Sequence, residues 1–253
     1  MHVLLIDGFN LVRRIFEARP HDDNIVEPEV IESAAHSLKR AMKEHKPSHA
    51  CCIFDSHEPT WRHELYPQYK ANRKPTPSSL LRAIPDFEIA FDEIGVKSIC
   101  IPHYEADDVI ATLAKGLSRK NANATILSTD KNFLQLLDNQ IKIYDHFKEK
   151  EYTKEWVLEK YGVAHEQLVD YWALTGDSTN NIKGVPKVGP KTAQKLIASY
   201  GSLDDLLKNP PKDLTGERIT KYKNDAEDAR DLAQLKTDIT LGINLNQFRY
   251  LPT

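Results

Sequence analysis

Three carboxylates fall within four residues at Glu105-Ala106-Asp107-Asp108, where an apolar-periodic stretch reads as the start of a helix. Glu105 and Asp108 are three apart and share a helical face, with Asp107 about 100° round from Asp108. Acids in a first helical turn are ordinary, because the unpaired N–H groups there carry partial positive charge. Their company is what suggests chemistry. Val3-Leu4-Leu5-Ile6 is followed by Asp7, and Cys51-Cys52-Ile53-Phe54 by Asp55. Lys97-Ser98-Ile99-Cys100-Ile101 leads into Glu105, and Ala124-Thr125-Ile126-Leu127-Ser128 leads through Thr129 to Asp130. Each run reads as a buried parallel strand, and ligands of an open α/β sheet collect beyond the carboxyl ends of its strands. Carboxylates gathered at one rim repel one another and rise in pKa unless a cation removes the penalty. All-oxygen donors, with no cysteine or histidine cluster, point to Mg²⁺ or Mn²⁺ rather than zinc. The chemistry expected is phosphodiester hydrolysis, in which the metal activates water and stabilises the departing oxygen.

Alternating strands and helices must position these acids. A helix is expected over Glu29 to Lys46, where Val30, Ile31, Ala34, Leu38 and Ala41 recur at helical spacing and Pro47 ends the pattern. Further helices are expected over Ser79 to Ile94, from Glu105 to about Leu117, and after Asp130, followed by a strand at Ile141–Tyr144. Beyond residue 150 the pattern is helical only, over Lys154–Tyr161, Glu166–Leu174 and Lys191–Tyr200. The expected organisation is an α/β core over residues 1–150 with a mainly parallel sheet, and a helical extension over 151–253.

Two stretches carry charge suited to phosphates. The segment from Trp61 to Pro77 mixes cations with aromatics and lacks an apolar period, so it is expected to be exposed. Lys70, Arg73 and Lys74 there can neutralise phosphates, while Tyr66 or Tyr69 can stack on bases or pack on the sheet edge. In Asn181–Ala193, two glycines flank the turn Val185-Pro186-Lys187-Val188, and Pro190 suits the first position of the next helix. Such a turn exposes successive N–H groups to an anion, with Lys187 and Lys191 adding charge. Its free carbonyls suit a monovalent cation such as K⁺.

Composition excludes several classes. The chain has 253 residues, 40% of them hydrophobic and 28% charged, as in an ordinary soluble globular protein. No run of apolar residues is long enough for a membrane span, and Met1-His2 opens directly into a strand without a signal peptide. Its three cysteines read as buried free thiols of a cytoplasmic protein. A formal net charge of −3 leaves nucleic-acid binding to local basic patches.

Taken together, these stretches resemble a 5′-nuclease of the flap endonuclease family, the kind found at the N-terminus of bacterial DNA polymerase I. The carriers are Ile6-Asp7-Gly8, Phe54-Asp55, Arg62–Tyr66 with Tyr69–Arg73, Glu105–Asp108, Ser128–Lys131 and Gly184–Ala193, in order along nearly the whole chain. The resemblance implies a PIN-like nuclease core, an arch or clamp at about residues 60–95, and a helix–three-turn–helix (helix-hairpin-helix) DNA-binding element at about 166–200. It implies Mg²⁺-dependent cutting of 5′-flap or other branched DNA in replication or repair, by a monomer. Carried over residue by residue, Asp7, Asp55, Glu105, Asp107, Asp108, Asp130 and Asp177 match metal-site acids, and Lys70 and Arg73 match basic residues near the scissile phosphate. Asn132 and Asn180 stand where the family has acids, and an amide cannot supply their charge.

That thinning resembles the small, stand-alone Xni group, in which a magnesium lies close to the position of Asp107 and much of its coordination passes through water. The same group implies K⁺ held by main-chain carbonyls at Leu174, Thr175, Lys183, Val185 and Val188. It implies phosphate contacts along Lys187, Val188, Gly189, Pro190, Lys191 and Thr192. The lack of a polymerase domain after Thr253 fits a stand-alone nuclease. The competing expectation is a branched-DNA-binding protein whose weakened metal site no longer supports catalysis. A haloacid-dehalogenase-like phosphatase is set aside, because Phe9 stands where that mechanism needs a second aspartate.

Overall fold

The computed structural model describes residues 1–18, 25–56 and 58–251. Strand β1 (His2–Asp7) runs through the middle of a six-stranded sheet. On one side lie β2 (His49–Phe54) and β3 (Lys97–Cys100), and on the other β4 (Asn123–Leu127), β5 (Ile141–Asp145) and β6 (Lys150–Tyr152). All pairs are parallel except β5 with β6. The chain first builds outward from β1 through β2 to β3, then crosses back to place β4 against β1. The seam between β1 and β4 is thus the topological switch point, where a crevice opens beyond the strand ends.

Side chains of β1 alternate between two cores, as the two-residue period of a strand requires. Val3 and Leu5 join Cys51, Ile53 and Ile126 against α6 (Ala106–Ser118). Leu4 and Ile6 join Cys52 and Phe54 against α1 (Gly8–Glu17), α2 (Pro28–His45), α4 (Ser78–Arg82) and α5 (Ile84–Asp92). The short α3 (Trp61–Leu65) lies before α4. The first core does not stop at residue 150. It continues through Val157 of α7 (Lys154–Tyr161), Leu168 and Leu174 of α8 (Leu168–Thr175), and Leu196 and Ile197 of α9 (Pro190–Tyr200). It ends against α10 (Leu203–Lys208), α11 (Leu214–Lys221) and α12 (Lys223–Ala233).

Several local expectations change. The β3 strand is a sheet edge rather than a buried strand, so Lys97 and Cys100 are exposed and only Cys51 and Cys52 are buried thiols. The helix expected over Ser79 to Ile94 breaks at Ala83, because Pro85 has no N–H to continue the ladder. After Asp130 the chain makes a 3-10 turn, Lys131–Leu136, instead of an α-helix. The segment from Trp61 to Pro77 is not wholly exposed, for Arg62 and Tyr69 are buried.

Between α8 and α9 a two-stranded hairpin, β7 (Gly176–Asp177) with β8 (Ile182–Lys183), turns the chain. Gly176 and Gly184 press main chain against main chain there. A Cβ on Gly184 would lie 2.3 Å from the Gly176 nitrogen and 2.5 Å from the Leu174 carbonyl oxygen, with only rigid backbone to yield. Gly184→Ala should therefore cost about 1–3 kcal/mol and lower the thermal midpoint. Gly189→Ala, whose Cβ would meet nothing within 4 Å, should lower it far less in the same melting experiment.

Candidate active site

Asp7 leaves β1 and caps α1, its Oδ1 accepting from the Asn10 N–H at 3.1 Å. Its Oδ2 accepts from the Ser128 hydroxyl at 2.7 Å, across the switch-point seam. A second bridge spans that seam, since the Asn10 amide donates to the Thr129 hydroxyl and accepts from the Thr129 N–H. Asp130 turns its Oδ1 to the Asn132 N–H at 2.7 Å, capping the 3-10 turn. Asp55 follows β2 and accepts from the Ala106 N–H at 2.8 Å, thereby satisfying the first turn of α6. Asp107 stands one residue further along that turn. The structure brings Asp7, Asp55, Asp107 and Asp130 to one cleft of about 590 Å³, walled also by Asn10, Lys70 and Arg73.

The electrostatics record this crowding. Burial pushes the Asp7 carboxyl up to about 7, with the neighbouring Asp55 charge adding to the shift. Burial, and then Asp130 and Asp7, hold Asp107 well above the usual carboxylate range. Asp55 is raised by burial, against the pull of the Lys70 ammonium. These are oxygen donors short of positive charge, which suits a hard divalent cation. Yet among the described residues no three His, Cys, Asp or Glu side chains form a group that could hold a metal ion. The cleft therefore suits a divalent cation that keeps part of its water shell rather than a closed protein cage.

Glu105 and Asp108 do not line this cleft and are engaged by donors within the chain. Arg62, buried to 1% exposure, sends Nη1 to Asp108 Oδ2 at 2.7 Å and to Glu105 Oε2 at 3.0 Å, and Nη2 to Asp108 Oδ1 at 2.8 Å. Its Nε donates to the Leu232 carbonyl and its Nη2 also to that of Gln234, so the guanidinium is satisfied on every side. The Trp61 indole N–H and the Lys236 main-chain N–H complete the shell of Asp108. Glu105 takes the Lys70 ammonium at 2.6 Å and the Tyr69 hydroxyl at 3.1 Å. It titrates below the ordinary glutamate range: Lys70 and then Arg62 outweigh the largest single influence, burial, which acts in the opposite direction. Sequence reasoning placed both acids on one helical face, and that face was itself the sign of a shared counter-ion.

Residues 66–73 are laced to the loop after β7. Lys70, at φ +58°, donates its N–H to the Asn180 carbonyl, Asn72 its amide to the Ser178 carbonyl, and Asn181 its amide to the Gln68 carbonyl. Arg73 reaches the Thr179 carbonyl and Asn180 Oδ1. A second cleft, of about 410 Å³, adjoins the first and is walled by Asp130, Asn132, Asp177, Asn180 and Arg73, with Tyr161 and Trp172 behind. Asp177 thus lines this second cleft with Asp130, and does not line the first with Asp7 and Asp55. Gln135 joins the 3-10 turn to the chain after α12, donating to the Ala233 carbonyl and accepting from the Leu235 N–H.

The turn before α9 lies beyond the hairpin. There the Val185 N–H donates to the Leu174 carbonyl and the Val188 N–H to the Val185 carbonyl, Gly184 packs on the main chain of Leu174 and Thr175, and Lys183 pairs with Gly176. Lys187 sits at φ +65°, and Lys187, Gly189, Pro190 and Lys191 are exposed, with Thr192 half-buried. The Val188 side chain is buried in the core, leaving only its main chain for a ligand.

Comparison with known proteins agrees along the whole chain. The profile of the 5′-3′ exonuclease N-terminal resolvase-like domain matches residues 2–162, and that of the 5′-3′ exonuclease C-terminal SAM fold matches residues 163–253. The flap endonuclease Xni of Psychromonas ingrahamii is 40% identical over 254 residues, covering 98% of this chain and 97% of that protein. T5 5′-exonuclease with bound divalent zinc has a similar fold, with a TM-score of 0.79 at 21% identity over 94% of this chain and 90% of that one. The T5 D15 flap endonuclease, in a pseudo-enzyme-product complex with DNA and metal ions, gives a TM-score of 0.76 at 21% identity over 92% and 89%.

Two outcomes test this electrostatic picture. Replacing Arg62 by Leu leaves Asp108 buried without its counter-charge and should cost about 3–5 kcal/mol in urea denaturation. For Asp7, a pKa raised in the folded state means that its stabilising influence is present below the unfolded value and lost as pH rises toward about 7. In EDTA, Asp7→Asn should therefore gain stability relative to the parent between pH 5 and pH 8, on the order of 2 kcal/mol. His2, His45 and His146 titrate low through burial and act in the opposite direction, but they are common to both proteins and cancel in the difference.

Proposed function

This chain belongs to the 5′-3′ exonuclease family, and from that membership we propose that it is a structure-specific 5′ nuclease, hydrolysing phosphodiester bonds near the junction of 5′-flap DNA. The observation that carries the reading is the cleft at the switch point. Asp7, Asp55, Asp107 and Asp130 face it beside Lys70 and Arg73, so acids for a cation and bases for a phosphate meet in one place.

Mg²⁺ is the cofactor proposed, with Mn²⁺ able to replace it; bound near Asp107, with Asp7, Asp55 and Asp130 holding its waters, it would activate water and neutralise the leaving oxygen. The rest of the work falls to the chain. Glu105 holds the Lys70 ammonium at the rim, leaving its other N–H donors to meet the scissile phosphate. The seam bonds between Asp7 and Ser128, and between Asn10 and Thr129, fix the two strand ends against each other so that the carboxylates keep their spacing. Asp177 lines the adjoining cleft, where it is available to a second cation or its waters. Glu105 and Asp108 act as supports rather than ligands.

The flap's duplex is taken at the start of α9. Exposed Lys187 and Lys191, with the main chain of Val188 to Thr192, offer charge and N–H groups to one strand's phosphates. K⁺ at the carbonyls of Leu174, Thr175, Lys183, Val185 and Val188 would stiffen that turn. The protein works as a monomer on branched or 5′-flap DNA in the cytoplasm. No helix among the described residues is long and apolar enough to cross a membrane.

The second reading, a branched-DNA-binding protein without useful catalysis, draws on Asn132 and Asn180, whose amides supply no charge to a metal. Cleavage of an end-labelled 5′-flap duplex separates the two. The nuclease should cut near the junction in Mg²⁺, be silent in EDTA, and lose at least about 100-fold in rate on Asp107→Asn while still binding the flap. Tight binding with no cutting in Mg²⁺ or Mn²⁺ would leave the binding protein standing.

A further inference from the structure

Asn180 is the residue at which an expected acid is missing, and its side chain is engaged at both ends. Its Nδ2 donates to Asp177 Oδ2 at 2.5 Å, and its Oδ1 accepts from Arg73 Nη2 at 2.5 Å. The direction of both bonds is forced, since a guanidinium only donates and a carboxylate only accepts. The bridge needs a neutral side chain that donates at one end and accepts at the other, which the Asn180 amide does. An aspartate at this position could receive Arg73 but would set a second negative charge against Asp177.

The bridge aims a cation into the site. Arg73 Nε is tied to the Thr179 carbonyl at 3.2 Å and one Nη2 proton to Asn180, while its remaining N–H donors have no partner among the described residues. Arg73 walls both adjoining clefts, the one holding Asp7, Asp55 and Asp107 and the one holding Asp177, with Asp130 common to the two. A phosphodiester entering there brings further negative charge to a place already rich in carboxylates. A fixed guanidinium with free donors is what that charge requires. The loop backbone does not depend on the Asn180 side chain, because the Lys70 N–H, Asn72 and Asn181 anchor it separately.

We infer that Asn180 is a positioning residue, whose amide holds the Arg73 guanidinium at the junction of the two clefts so that it meets the scissile phosphate and supplies positive charge that acids at positions 132 and 180 would otherwise have drawn from a metal. The inference rests on the nuclease reading and deepens it.

The test is single-turnover cleavage of a 5′-flap duplex in saturating Mg²⁺, with flap affinity measured separately in EDTA, for the parent, Asn180→Ala, Arg73→Ala and the double variant. Asn180→Ala should slow cleavage by about 10–100-fold while flap affinity in EDTA changes by less than about threefold. Adding it to Arg73→Ala should cost nothing more, because the amide acts only through the guanidinium. Added guanidinium ion should restore part of the rate to Arg73→Ala and less to the double variant, which lacks the acceptor oxygen. A purely structural role would give multiplied losses and equal rescue. If Asn180→Ala does not fold, Asn180→Ser, too short to reach both partners, takes its place. A parent that cuts, combined with multiplied losses, equal rescue or an unimpaired Asn180→Ala, would overturn this inference alone. A parent that binds flaps but does not cut would defeat the nuclease reading and this inference with it.

Discussion

Repulsion among carboxylates at one end of a sheet is the constraint around which the molecule is arranged. Parallel strands deliver acids to a common rim because their carboxyl ends all point one way. The protein divides the resulting charge into two populations. Glu105 and Asp108 are paired within the chain with the cations Arg62 and Lys70 and take further hydrogen bonds from Tyr69 and Trp61. Asp7, Asp55, Asp107 and Asp130 keep their faces to the cleft, and burial with mutual repulsion raises Asp7 and Asp107 above their ordinary range. The first population holds the second in place. Without Arg62 and Lys70 the first turn of α6 would add two more negative charges to the crevice.

Much of this was legible in the residues themselves. Apolar runs ending in Asp7, Asp55 and Asp130 marked the strand ends, and the four strands and the helix after Glu105 lie within a residue or two of where periodicity put them. What was not legible depended on contacts between distant segments. Arg62 reads as one more cation in a polar stretch, and only the packing of α3 under α12 makes it a buried one. The edge position of β3 is set by strand order, which periodicity does not encode, and it decides that Cys100 is exposed. The β6 strand is too short, and the hairpin of β7 with β8 shorter still, to show any alternation. Asn180 could be seen as a missing charge but not as a bridge.

The hairpin joins the two halves of the proposed function. On one side, Gly176 and Gly184 let the end of α8 touch the turn before α9, where duplex DNA is expected. On the other, Asp177 to Asn181 hold residues 66–73 and reach the second cleft. A shift in that turn therefore has few residues to cross before it reaches Arg73 and Lys70. Rigid main-chain contacts of this kind transmit displacement with little loss.

The Arg62 guanidinium also has a temporal consequence. Its Nε rests on the carbonyl of Leu232, 170 positions along the chain, and Asp108 accepts from the N–H of Lys236. During synthesis the sheet and all its acids leave the ribosome well before those partners do. Until they arrive, Arg62 lacks two of its acceptors and the first turn of α6 is incompletely held. A nascent or prematurely terminated chain would thus carry the acids of a nuclease without their working arrangement.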